Sequence, residues 1–205
     1  MKTKATVVVF GVVGALLIST APATAQIKQG SSEVHVYGGE LFGDELVDRN
    51  VSGKRPQLDD DVTFGLRYGY NFAKALGLEV SVGYSPNQVT KLATSDIGLN
   101  VLTADVDGVW NITPELKVVA YLLGGGGYGH ASIDRPIKGT VGGRNVTIND
   151  NHGFTANAGV GAKIFVTDSL MVRVEGRYRY MDKVVDKFDN SLNTVEATAG
   201  IGWRF

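Results

Sequence analysis

Residues 194–205 read TVEATAGIGWRF. Val195, Ala197, Ala199, Ile201, Trp203 and Phe205 fall on one side of an extended chain, and Thr194, Glu196, Thr198, Gly200, Gly202 and Arg204 on the other. A period of two with one apolar face marks a β-strand. Its end is the unusual part, because the sequence stops on Phe205 with Trp203 two residues before it. A soluble protein rarely leaves two large aromatics on one exposed face at its terminus. A strand closing a barrel inside a bilayer would set them in the aromatic girdle at the lipid–water boundary.

Working back from this strand, alternating segments recur near residues 33–42, 61–71, 76–85, 99–110, 116–128, 153–165 and 170–181, which makes eight in all. Most have the length that crosses a bilayer when tilted. Three connections are short: 72–75, 111–115 with Pro114, and 166–169 with Asp168. Four are long and polar: 43–60, 86–98, 129–152 and 182–193. Tight turns on one side and long loops on the other describe a barrel with a periplasmic and an extracellular rim.

The faces give the direction. Val172, Val174, Gly176, Tyr178 and Tyr180 oppose Arg173, Glu175, Arg177 and Arg179; Phe64, Leu66, Tyr68 and Tyr70 oppose Thr63, Gly65, Arg67 and Gly69. The third segment sets Leu78, Val80, Val82 and Tyr84 against Glu79, Ser81 and Gly83. A soluble sheet with its apolar side buried shows the same alternation. Eight strands close around a narrow interior, however, which cannot hold many aromatics. Tyr70, Trp110, Tyr180, Trp203 and Phe205 sit near strand ends, and glycines collect on the polar faces. The apolar faces are therefore expected to point outward into lipid, giving an all-β, eight-stranded antiparallel up-and-down transmembrane β-barrel.

The amino terminus fits an exported protein. Lys2 and Lys4 precede an apolar run over residues 5–19, and Ala23, Thr24 and Ala25 form a small-residue cleavage site. The run is short for a spanning helix. Residues 1–25 are thus expected to be a cleaved signal peptide and residues 26–205 the barrel domain. No cysteine is present, which excludes a disulfide framework, a thiolate metal site and a lipid-modified cysteine. Lys plus Arg is 20 and Asp plus Glu 21, with no bias toward nucleic acid.

With these features the chain resembles the small eight-stranded outer-membrane β-barrels of Gram-negative bacteria, the OmpA/OmpX-like superfamily. The resemblance covers residues 26–205 in strand count and loop asymmetry. Its most specific element is Thr198-x-Gly200-x-x-Trp203-x-Phe205, similar to the β-signal through which the barrel-assembly machinery recognises its substrates. The resemblance implies an integral protein of the outer membrane, in contact with lipid and lipopolysaccharide and expected to be a monomer. Nothing follows Phe205, so the peptidoglycan-binding domain of OmpA-type proteins is not expected.

Charged residues assigned to the lumen are Arg67, Glu79, Asp105, Asp107, Lys117, Lys163, Arg173, Glu175, Arg177, Arg179, Glu196 and Arg204. Unpaired buried charge is costly and both signs are present, so an ion-paired plug is expected in place of a charged pore. Residues 124–129, GGGGYG, match G-x-G-x-x-G formally, but no helix pattern follows to present its N-terminus to phosphate. His35, His130 and His152 lie far apart in sequence, without metal-ligand spacing. His130, Ser132 and Asp134 could suggest a lipid A-modifying hydrolase, although loop polarity explains them. Asp59, Asp60 and Asp61 read as a solvated loop end. No catalytic site, cofactor or metal is expected. The function read here is non-enzymatic: envelope structure and adhesion through the loops around 43–60 and 129–152, ahead of a narrow low-conductance pore and a hydrolase.

Overall fold

A lipid-facing sheet cannot leave backbone donors or acceptors unpaired, so its strands must close on themselves. The computed structural model describes residues 27–43, 57–58, 61–90, 97–133, 137–141, 144–148, 151–182 and 192–205, and shows this closure. Eight long strands follow in order: β1 (Ser31–Gly43), β2 (Asp61–Asn71), β3 (Leu76–Thr90), β4 (Ile97–Asn111), β5 (Val118–Ile133), β6 (Asn151–Phe165), β7 (Leu170–Met181) and β8 (Leu192–Arg204). Each pairs antiparallel with its sequence neighbours, and β8 pairs with β1 to complete the ring. Two small pieces add to it, Gln57–Leu58 alongside β3 and a hairpin of Ile137–Val141 with Arg144–Ile148 between β5 and β6.

The strands run further on the long-loop side than alternation indicates. Pairing of β3 with β4 continues through Asn87↔Leu99 and Gln88↔Gly98 to Val89↔Ile97, so 91–96 is all that separates these strands, not 86–98. Beyond Pro86 the residues no longer alternate in polarity, yet two strands already in register keep satisfying each other's backbone. The 111–115 connection also shifts, since β5 begins at Val118 and not at 116. The hydroxyl of Thr113 donates to Val118 O (3.0 Å) and accepts from Ala120 N (2.9 Å), which fixes this turn.

Side chains divide cleanly between the two surfaces. Val34, Leu66, Val80, Val106, Val160 and Ile201 stand outward and exposed. Tyr70, Trp110, Trp203 and Phe205 stand outward at the turn-side rim, and Tyr180 toward the opposite one. Three aromatics break the rule of an interior lined by small residues: Tyr37, Tyr121 and, at the turn-side end, Phe165 point inward and are buried. Glycines make the room. A Cβ at Gly65 or Gly83 would strike the Tyr37 side chain, and one at Gly161 would strike the Tyr121 hydroxyl.

The turn-side end of the barrel is closed. Ile27, Val119, Phe165 and Met171 form a buried apolar cluster there. The segment before β1 lies across this end, with Ile27 N donating to Pro114 O (2.9 Å) and Gly30 N to Asn71 O (2.7 Å). Gly30, at φ 80°, takes the left-handed turn that swings the chain into β1, a conformation a side chain would resist.

Candidate functional site

The lumen above this cluster is the polar heart of the molecule, and the alternation of the strands builds it. Eleven of the twelve charged residues named from the sequence point inward and are 5% exposed or less: Arg67, Glu79, Asp105, Asp107, Lys163, Arg173, Glu175, Arg177, Arg179, Glu196 and Arg204. Lys117 stands apart, partly exposed in the turn before β5, because that strand starts one residue later. Glu33 and His35, on β1, join the interior. Among the described residues the lumen thus buries six carboxylates and six Lys or Arg cations. A buried charge left unpaired costs several kcal/mol, so the balance is a condition for folding.

Pairing proceeds in layers from the turn side. Glu33 accepts from Lys163 Nζ (2.7 Å) and from Asn71 Nδ2 (2.9 Å), and meets His35 Nε2 at 3.1 Å. In the middle layer the Arg173 guanidinium spans Glu79 and Glu175, reaching the latter at 2.6 Å. Arg173 Nε donates to the Tyr121 hydroxyl (2.7 Å), which donates in turn to Glu175 (2.7 Å). Arg67 and Arg177 also converge on Glu175, at 3.1 and 3.0 Å. Arg67 lies 3.7 Å over the Tyr37 ring and Arg173 lies 4.6 Å over that of Tyr121, so each inward tyrosine carries a cation on its face. Toward the long loops, Arg177 meets Asp107 (3.1 Å), and Arg179 bridges Asp105 (2.7 Å) and Glu196. Arg204 caps the other end, its guanidinium over Phe165 and bonded to Asp168 O.

Oppositely charged groups fill the cross-section with little solvent-accessible surface left on them. His130 and Ser132 stand on the outward face of β5, two residues apart. Asp134 lies outside the described residues, as do Asp59 and Asp60, while Asp61 opens β2. Among the described residues no group of three or more His, Asp or Glu side chains could hold a metal. The 124–129 glycines lie wholly within β5, and no helix occurs among the described residues. A Cβ at Gly125 or Gly127 would strike the β4 backbone, so these glycines permit close strand approach.

A family model described as the outer membrane protein beta-barrel domain matches residues 11–205. The chain belongs to that family. It is an integral protein of the Gram-negative outer membrane. Two solved structures share the fold: Neisserial surface protein A, at 18% identity and TM-score 0.59 over 86% of this chain and 100% of that one; and Ail, the attachment invasion locus protein of Yersinia pestis, in complex with the heparin analogue sucrose octasulfate, at 19% identity and TM-score 0.53 over 87% and 100%. No curated protein matches the chain in sequence.

In an outer-membrane barrel the outward face meets lipid, and one stretch of it is concave. Gly108 and Gly124 lie opposite each other on β4 and β5. They leave a groove of about 310 Å³ bounded by Phe72, Leu76, Trp110 and Leu122. Its lining is apolar apart from the Trp110 indole nitrogen, as suits a lipid-facing wall. Of the residues resembling an assembly signal, Thr198 and Gly200 face inward while Trp203 and Phe205 are exposed on the outer face. Ala23 and Ala25 lie outside the described residues.

The interior residues that sequence reasoning missed differ in legibility. Glu33, His35 and Tyr37 alternate with Val34 and Val36, so their shared face was readable. Tyr121 was not, because β5 is apolar on both sides, with Val119 and Leu123 inside and Leu122 outside.

Proposed function

We propose that this protein is a non-enzymatic barrel that supports the envelope and presents its long loops for surface interaction and adhesion. The observation that carries the reading is the filled lumen. A balanced ion network stacked on an apolar plug leaves the barrel as scaffold, and recognition then falls to the connections around 43–60 and 129–152. Two proteins of the same fold, one named for attachment and invasion and one for the cell surface, support the direction. Thr198, Gly200, Trp203 and Phe205 are proposed to engage the barrel-assembly machinery, and the finished barrel to sit as a monomer among lipid and lipopolysaccharide.

Cells carrying the full-length protein should be retained on immobilised host matrix several-fold better than cells in which residues 134–150 are replaced by a short turn. Equal retention at equal surface level would remove the adhesion reading. Planar-bilayer recording of the purified protein tests the scaffold half: steady large conductance would show that the lumen, not the loops, does the work.

A further inference from the structure

The register of β5 and β6 brings together two residues that the sequence separates by more than twenty positions. His130 and His152 are direct cross-strand partners, and both are exposed on the outward face at the long-loop rim. We propose that this pair is a binding site for one divalent transition metal ion, Cu²⁺ in preference to Ni²⁺ or Zn²⁺.

The geometry follows from the sheet. Directly opposed residues on one face of an antiparallel pair hold their Cβ atoms about 4.5–5.5 Å apart. Two imidazoles rising from such positions can bring one nitrogen each to a shared ion, at the distance of about 2.0–2.1 Å that a metal–histidine bond requires. Imidazole suits Cu, Ni and Zn, and affinity for a given nitrogen site rises toward Cu²⁺. One of the two rings is held by a neighbour. The Tyr128 ring, two residues before His130 on the same face, stacks on His152 with centroids 5.5 Å apart and planes at 28°. Tyr128 itself is braced edge-on by Phe154 at 6.1 Å. Leu102 is the β4 partner of His130, so no cation stands beside it there. The two remaining positions of a tetrahedral or square ion stay open to water or an outside donor, as in sites that exchange ligands.

His35 does not compete, since its side chain is buried in the lumen beside Glu33. Copper binding by the untagged protein in detergent micelles therefore reads the pair directly. The expected result is one Cu²⁺ per chain with a two-nitrogen hyperfine pattern in electron paramagnetic resonance. His130→Asn and His152→Asn should each weaken binding about tenfold or more, because the second imidazole acts at high effective concentration once the first has bound. Heat-modifiable gel mobility should stay unchanged in both variants. No saturable binding, a wild-type spectrum without two nitrogens, or a single variant that binds as the wild type would each overturn the proposal. The spectrum needs no variant to fold.

Discussion

Glu175→Gln is the sharpest test of the lumen. The carboxylate accepts from Arg173 Nη2 (2.6 Å), Arg67 Nη2 (3.1 Å), Arg177 Nε (3.0 Å) and the Tyr121 hydroxyl (2.7 Å). Glutamine keeps the volume and one acceptor oxygen but turns an NH₂ group toward a guanidinium. Two charge-assisted hydrogen bonds are lost, each contributing about 1.5–3 kcal/mol. The balance of six carboxylates against six cations also becomes one cation in excess. Breaking a buried pair from one side costs about 3–5 kcal/mol. A loss of about 4 kcal/mol is therefore expected, read as a lower midpoint in guanidinium unfolding of the refolded barrel by gel mobility and tryptophan emission. A change below about 1 kcal/mol would mean that water or rearrangement replaces the carboxylate at little cost, and the network would not be what holds the interior.

Three further outcomes follow from particular contacts. A double-mutant cycle of Glu33→Gln with Lys163→Met, partners at 2.7 Å, should show a coupling of about 0.5–3 kcal/mol in the same unfolding assay. Gly161→Val should cost about 1–3 kcal/mol by displacing Tyr121, whereas Gly176→Ala, with nothing near its added Cβ, should stay within about 0.5 kcal/mol. Phe205→Ala, which keeps the two backbone hydrogen bonds to Ser32, should lower the amount of protein in the outer membrane several-fold while the refolded barrel loses about 1 kcal/mol or less; the side chain lies exposed on the outer surface, and the measurements are membrane fractionation and unfolding.

The barrel was legible because its signal repeats. Every strand with one clean polar face, such as Arg173, Glu175, Arg177 and Arg179 on β7, states both its conformation and its direction. β5 carries no such statement, and the inward Tyr121 had to await the register that sets Gly161 opposite it. The full length of β3 was hidden for a different reason, because pairing beyond Pro86 is sustained by β4 rather than by local pattern. Lumen membership could be read strand by strand, but partners could not: Arg67 and Glu175 lie 108 residues apart and meet only when the ring closes.

The same limit explains the histidines. Metal-ligand spacing along a chain is a rule for helices and tight loops, and it has no meaning for residues on adjacent strands joined by a long connection. Across an antiparallel pair the relevant spacing is register, which the intervening residues do not encode and which backbone pairing from the opposite end of the hairpin fixes. Here that pairing starts at Val118↔Ile164 and carries through to His130↔His152 without a bulge. Shifting one strand by a single residue would send one imidazole into the lumen. The apolar outer face and the charged interior both forbid that slip, so the forces that orient the barrel also hold the two imidazoles on one side of the wall.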